Sequence, residues 1–92
     1  MSADENAETR LKRLRMRAWR RGTKEMDLIL GPFAEDRLGG LDPEALDRFE
    51  ALLEENDQDL YAWVTGAAGA PGTHAPLLEE IGRHARGRLG PG

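Results

Sequence analysis

The apolar residues of this chain recur at intervals of three and four, and nowhere do they alternate with polar residues for long enough to form a strand. Intervals of three and four place side chains on one face of an α-helix, whereas a half-buried strand requires a period of two. The 92 residues allow a single small core. The sequence therefore predicts an all-α fold, a small five-helix bundle that forms one domain over residues 9–89.

Capping residues predict where the first two helices begin and end. Thr9 is a candidate N-cap for a first helix over residues 10–21, and Gly22 is its candidate terminator. Thr23 is the candidate N-cap of a second helix, which is apolar on most sides and is therefore expected to be central. Pro32 predicts a kink in that helix, because proline removes a backbone donor.

Similar patterns predict three more helices. Asp42 followed by Pro43 is typical of a helix start, and this third helix is expected to end near Asn56. Asp57 is the candidate cap of a short fourth helix that Gly66 closes. The remaining predictions are a disordered tail at 1–8, a flexible linker at about 67–75, a fifth helix from Pro76 and a tail at 90–92.

Charge is distributed unevenly along the chain, although the formal net charge is only −4. Residues 10–24 carry eight lysines and arginines and no acidic residue, whereas residues 25–59 carry twelve acidic residues. This asymmetry predicts that the basic helix and the acidic segment partly neutralise each other. The alternative is a nucleic-acid-associated regulator, such as an antitoxin, whose basic helix 10–24 contacts phosphates. The acidic balance of the whole chain argues against nucleic acid.

The residues needed for most catalytic and metal sites are missing from the sequence. There is no cysteine, and the only serine is Ser2 in the predicted tail, so we expect neither an enzyme nor a metal site. His84 and Glu80 share a helical face and are expected to form a solvated surface pair. No apolar stretch is long enough to span a membrane, and the polar residues 1–6 do not resemble a secretory signal. A cytoplasmic monomer is the expectation.

A predicted corner between the first two helices carries the candidate binding residues. Arg21 and Glu25 flank this corner, so a basic group and a carboxylate are expected to project together from one exposed edge. Such an edge suits docking to a protein partner, although spacing alone favours a structural role for Gly22. Trp63 is expected to pack in the core, whereas for Trp19 packing and partner contact remain equal alternatives.

The segment from Trp19 to Leu28 resembles the Arg-Gly-x-x-Glu motif of the succinate dehydrogenase assembly factors, the flavinylation factors of bacteria and mitochondria. The resemblance extends from about residue 11 to residue 66. It includes the following three segments: Leu30-Gly31-Pro32-Phe33, Phe49-x-x-Leu52-Leu53 and Asp57-x-Asp59-Leu60-Tyr61-x-Trp63.

This resemblance implies a five-helix fold that binds the flavoprotein subunit of succinate dehydrogenase and promotes the covalent attachment of FAD to it. It implies no stable cofactor site in the chain itself, and it makes a fumarate reductase flavoprotein a further candidate partner. The resemblance assigns partner binding to Arg21, Gly22 and Glu25. Arg20 and Asp27 are secondary candidates because they adjoin the motif.

Overall fold

The computed structural model describes residues 6–89, which form five α-helices around one apolar core. The helices are α1 (Ala7–Ala18), α2 (Lys24–Arg37), α3 (Pro43–Leu52), α4 (Asp57–Thr65) and α5 (Ala75–Leu89), and a short 3-10 turn (Leu38–Gly40) follows α2. No strand occurs within residues 6–89. The predicted all-α, five-helix architecture is confirmed.

Helix α2 is the central element, as its apolar composition predicted. It contacts α1, α4 and α5, and it continues without a break through Pro32. Leu30 and Phe33 are fully buried, and the Phe33 ring stacks on Phe49 with 5.9 Å between the ring centroids. Burial of aromatic and branched side chains of this kind supplies most of the stability of a small domain.

The capping predictions for α2, α3 and the end of α4 are confirmed. The Thr23 hydroxyl accepts a hydrogen bond from the Met26 amide at 3.3 Å. Asp42 accepts from the Ala45 amide at 2.8 Å. Gly66 adopts a left-handed φ of 84° after α4, a conformation that glycine reaches without steric cost.

The predicted bounds of α1, the predicted end of α3 near Asn56 and the predicted cap of α4 are wrong, since α3 ends at Leu52. Helix α1 begins at Ala7, because Asn6 caps it by accepting from the Thr9 amide at 2.8 Å, and it ends at Ala18. The predicted tail therefore overlaps the start of α1, while its residues 1–5 and the predicted tail at 90–92 lie outside the described residues. Asn56, not its neighbour Asp57, caps α4.

Two buried histidines attach α5 and its approach to the rest of the bundle. Residues 67–74 form no helix, as expected, but His74 is buried there, with its Nε2 3.1 Å from a Glu55 carboxylate oxygen. The Nε2 of His84 lies 2.7 Å from Asp36, and its ring meets the Phe33 ring edge-on. The predicted surface pair of His84 with Glu80 is wrong, since the histidine side chain is only 7% exposed.

Ion pairs join α1 to α3 and the turn that follows α3, and we call this set the charge ladder. Its pairs are Arg10–Asp47 at 2.7 Å, Arg10–Glu50 at 3.0 Å, Arg13–Glu50 at 2.9 Å and Arg17–Glu54 at 2.8 Å. The predicted partial neutralisation of the basic helix by the acidic segment is thus confirmed. Each exposed pair contributes little alone, about 0–1 kcal/mol, but a set that shares partners is held in one geometry.

The charge ladder makes the stability of the fold sensitive to acid. The hydrogen bond from Arg13 lowers the pKa of Glu50 below its ordinary value of 4.5; partial desolvation opposes this shift, and Arg10 reinforces it. A lowered pKa in the folded state means that the contribution to stability is complete above the ordinary value and is lost as the pH falls through the folded value.

We therefore expect Glu50→Gln to reduce the loss of unfolding free energy between about pH 5 and about pH 3. Urea unfolding followed by circular dichroism across this range measures the effect. Glu44→Gln is the control, because Glu44 is exposed and pairs only with Arg48 in its own helix. An acid dependence equal in Glu50→Gln and the wild type would contradict the prediction.

Candidate functional site

Residues 19–23 form the corner between α1 and α2, and internal hydrogen bonds hold this corner in place. The Arg20 amide donates to the Arg17 carbonyl at 3.2 Å, which tightens the end of α1. The Arg21 amide then donates to an Asp27 carboxylate oxygen at 2.6 Å, and this bond directs the chain into the first turn of α2. The Asp27 side chain of α2 therefore holds the backbone of the corner that precedes this helix.

The Arg21 side chain crosses from the corner to the junction between α3 and α4. Its Nε donates to Asp57 at 2.7 Å, while its two terminal nitrogens donate to the Leu53 and Glu55 carbonyls at 2.7 Å and 2.6 Å. The carbonyls at the end of a helix lack partners within the helix, and a cation there is favoured by the helix dipole. The guanidinium thus closes the end of α3 and neutralises Asp57.

The expectation that Arg21 projects from an exposed edge together with Glu25 is wrong for Arg21. Both side chains of the Arg21–Asp57 pair are only 10% exposed. All three contacts of the guanidinium lie 32 to 36 residues further along the chain, so local spacing could not reveal them. Arg21 therefore holds the corner against the α3–α4 junction through these contacts.

Gly22 leaves space for the Asp57 carboxylate. A Cβ atom on Gly22 would lie 3.2 Å from the second carboxylate oxygen of Asp57, which accepts from the Thr23 amide at 2.9 Å. Gly22 does not terminate α1, which ends at Ala18, and Gly66 is the only glycine with a positive φ among residues 6–89. The close approach at Gly22 is therefore between its backbone and the Asp57 carboxylate of the same chain.

Glu25 is the exposed acidic group of the motif. It lies in the first turn of α2, and its carboxylate has no hydrogen-bond or ion-pair partner among residues 6–89. It borders an open groove of about 340 Å³, whose other side is formed by Gln58 and Tyr61 of α4. Tyr61 is 46% exposed. Sequence reasoning missed Tyr61, although its position beside the buried Leu60 indicates an outward face.

The two secondary candidates differ in exposure. Arg20 is exposed, and its side chain has no hydrogen-bond or ion-pair partner within the described part of the chain, so the guanidinium is free to contact another molecule. Asp27 is half-buried and accepts the Arg21 amide. The structure therefore separates the five predicted residues into two with exposed, unpaired side chains, Arg20 and Glu25, and three that take part in the contacts holding the corner, namely Arg21, Asp27 and the exposed Gly22.

Trp19 fixes the start of the corner against α2. Its indole ring lies directly over Gly31, where a Cβ atom would be only 2.4 Å from the ring, and its Nε1 donates to Glu35 at 3.1 Å. The ring is nevertheless part of the surface, since the residue is 39% exposed.

Trp63 packs against the core, as predicted. Among residues 6–89, no group of three or more metal-binding side chains comes together.

The structure is that of a small helical bundle, braced by internal ion pairs and hydrogen bonds, that leaves a few charged side chains unpaired on its surface. The chain belongs to the family described as flavinator of succinate dehydrogenase, whose model matches residues 12–85. This match confirms the resemblance that the Arg-Gly-x-x-Glu segment suggested.

Relatives from fungi and bacteria give the same result. The mitochondrial succinate dehydrogenase assembly factor 2 of Cryptococcus neoformans is 38% identical over 84 residues, which cover 89% of this chain and 48% of the relative. The FAD assembly factor SdhE of Acetobacter pasteurianus is 35% identical over 89 residues, which cover 96% and 82% of the two chains. That of Pseudomonas aeruginosa is 48% identical over 56 residues, covering 61% and 66%. The chain thus spans about half the length of the fungal relative.

Proposed function

We propose that this protein binds the flavoprotein subunit of succinate dehydrogenase and promotes the covalent attachment of FAD to that subunit. Membership of the flavinator family over residues 12–85 carries this proposal. The geometry supports it, because the corner presents Glu25 and Arg20 from a backbone that is already held in place. Charged groups fixed in this way set the register and specificity of a protein interface.

In this proposal the chain acts as an assembly factor, and the covalent chemistry belongs to the flavoprotein. The chain keeps no FAD of its own and contributes a docking surface that favours the partner conformation able to form the flavin bond. We extend the proposal to a fumarate reductase flavoprotein as a second partner, and to a cytoplasmic monomer as the acting form. No helix among residues 6–89 is long and apolar enough to cross a bilayer.

The nucleic-acid alternative gains no support from the structure. Three arginines of the basic helix, Arg10, Arg13 and Arg17, are engaged by carboxylates in the charge ladder. A phosphate backbone on that face would meet those same carboxylates, which lowers its electrostatic affinity.

Glu25→Ala is expected to weaken the complex with the flavoprotein by about tenfold, because an interface charge loses its partner. It should leave the free energy of unfolding within about 0.5 kcal/mol, since the side chain is exposed and unpaired. Isothermal titration calorimetry measures the affinity, and in-gel flavin fluorescence after denaturing electrophoresis measures covalent FAD.

Glu44→Ala is the matched control, because Glu44 is also an exposed carboxylate in the first turn of a helix. It should bind and flavinylate like the wild type. Unchanged flavinylation in Glu25→Ala would remove Glu25 from the interface. Unchanged flavinylation in cells that lack this protein altogether would refute the proposed function.

A further inference from the structure

A groove of about 420 Å³ runs along the outer face of α1 toward the corner. The side chains that line it include five cations and one exposed methionine, and the lining contains no acidic residue among the described part of the chain. The cations are Lys12, Arg13, Arg17, Arg20 and Arg21, and the methionine is Met16. This groove is separate from the one beside Glu25, which lies between α2 and α4.

The cations of the groove are of two kinds. Three of them are engaged within the protein: Arg13 and Arg17 by Glu50 and Glu54 of the charge ladder, and Arg21 by Asp57. The side chains of Lys12 and Arg20, in contrast, have no hydrogen-bond or ion-pair partner among residues 6–89. The folded protein therefore leaves two positive charges of the groove available to another molecule.

Lys12, Met16 and Arg20 follow one another at intervals of four residues along the groove. Lys12 and Met16 lie on α1, where this interval places side chains one above another, about 6 Å apart, whereas Arg20 lies in the corner just beyond the end of α1 at Ala18. Met16 lies between the two free cations and is 45% exposed. Methionine is a flexible apolar side chain that adapts to the shape of a partner. The exposed line thus consists of a cation, an apolar contact and a second cation.

We propose that this groove binds an acidic amphipathic helix of the partner flavoprotein, with one apolar side chain on Met16 and carboxylates at Lys12 and Arg20. A carboxylate one helical turn from an apolar residue matches the spacing of Lys12 and Met16, and a second carboxylate on the other side of that apolar residue meets Arg20 at the end of the groove. This inference rests on the proposed function and adds a second contact surface to it, beside the Glu25 groove. The partner segment is identified by its charge pattern, which complements the free cations.

A nucleic acid fits the groove less well. Its backbone would place a continuous run of phosphates along α1, where Glu50 and Glu54 of the charge ladder approach from one side. An acidic helix directs its carboxylates to one stripe and can avoid these residues. Its apolar face also covers Met16, for which a phosphate backbone offers no partner.

The test is the affinity of the flavoprotein for the double variant Lys12→Gln/Arg20→Gln. At about 50 mM salt we expect a roughly tenfold loss, and at about 500 mM salt only about a twofold loss, because salt screens exposed charges. Met16→Glu should weaken binding at least as much, since it buries a like charge against the acidic helix. Both variants should keep the wild-type melting temperature, because the altered side chains make no internal hydrogen bond or ion pair.

Arg37→Gln/Arg88→Gln is the control, because it removes the same charge from exposed positions on α2 and α5. Its affinity should stay within about twofold of the wild type. Equal affinity of Lys12→Gln/Arg20→Gln and the wild type at low salt would overturn this inference and leave the proposed function intact. A wild type that does not bind the flavoprotein overturns both. Tighter binding to a duplex DNA probe, lost in the same variant, overturns the acidic helix in favour of nucleic acid.

Discussion

Arg21→Ala is expected to lower the free energy of unfolding by about 3–5 kcal/mol, the cost of removing one partner of a buried ion pair. The substitution leaves the Asp57 carboxylate without its cation and the Leu53 and Glu55 carbonyls without donors. In a domain of this size such a loss lowers the melting temperature by about 15–30 °C. Because small domains are only about 5–15 kcal/mol stable, a substantial unfolded fraction is expected at growth temperature. Thermal unfolding followed by circular dichroism measures the effect.

A comparison of variants separates this structural role from partner binding. Arg21→Ala/Asp57→Ala should be less destabilised than the sum of the two single variants, because the double variant leaves no unpaired buried charge. Glu25→Ala should melt like the wild type and yet bind the flavoprotein more weakly and flavinylate it less. If Arg21→Ala instead melted within a few degrees of the wild type, the contacts of the guanidinium with the α3–α4 junction would contribute little to the free energy of unfolding. The structural role assigned to Arg21 would then be wrong.

The second large effect is expected at Gly31. Alanine is normally favoured over glycine inside a helix by about 0.5–1 kcal/mol. Here the new methyl group would lie 2.4 Å from the Trp19 ring, closer than nonbonded carbon atoms approach. The ring must leave its position, and the hydrogen bond from its Nε1 to Glu35 is lost with it. Overpacking costs of about 1–3 kcal/mol exceed the gain in helix propensity, so Gly31→Ala should be destabilised by about 1–2 kcal/mol.

Gly87→Ala is the matched control for Gly31→Ala. Gly87 also lies inside a helix, but a Cβ atom there would meet no other atom within 4 Å. This variant should therefore gain about 0.5–1 kcal/mol. Tryptophan emission provides a second measurement, because Trp19 becomes more exposed in Gly31→Ala and its emission should shift to longer wavelength. A Gly31→Ala variant as stable as Gly87→Ala, with unchanged emission, would show that the ring does not occupy the position described.

The number of helices and most of their caps could be predicted from the sequence, because the chemistry involved is local. Thr23, Asp42 and Gly66 act within three residues of their own position, and the structure confirms all three. The start of α1 was missed because Asn6 and Thr9 are both good caps and lie three residues apart. Only Ala7 and Glu8 separate them, and neither is a large apolar residue that would show which of the two caps begins the helix.

The internal role of Arg21 could not be predicted in this way. Arginine is rarely buried unless it is paired, and its partner Asp57 lies 36 residues away. The sequence pattern also predicts a different role for Asp57, as the N-cap of α4. Asn56 performs that role, and the two Asp57 oxygens accept from Arg21 and from the Thr23 amide. Because Asn56 caps α4, Asp57 is available to hold the corner through Arg21 and the Thr23 amide.

The charge ladder, in contrast, corresponds to a spacing pattern that is visible in the sequence. Arg10, Arg13 and Arg17 are spaced by three and four, and so are the acidic residues that they contact, Asp47, Glu50 and Glu54. Equal spacing of opposite charges on two predicted helices indicates that they lie side by side in the same direction. Sequence reasoning recognised the asymmetry of charge and not this shared spacing.

The two oxygens of Asp57 bind the Arg21 guanidinium and the Thr23 amide, and this sharing has a consequence for the kinetics of association. The corner beside Glu25 is preorganised, so its backbone has no conformational entropy left to lose when a partner arrives. A complex formed at such a surface needs no folding step after the first encounter. Its association rate should then depend on diffusion and charge, and its lifetime on the side chains that the partner covers.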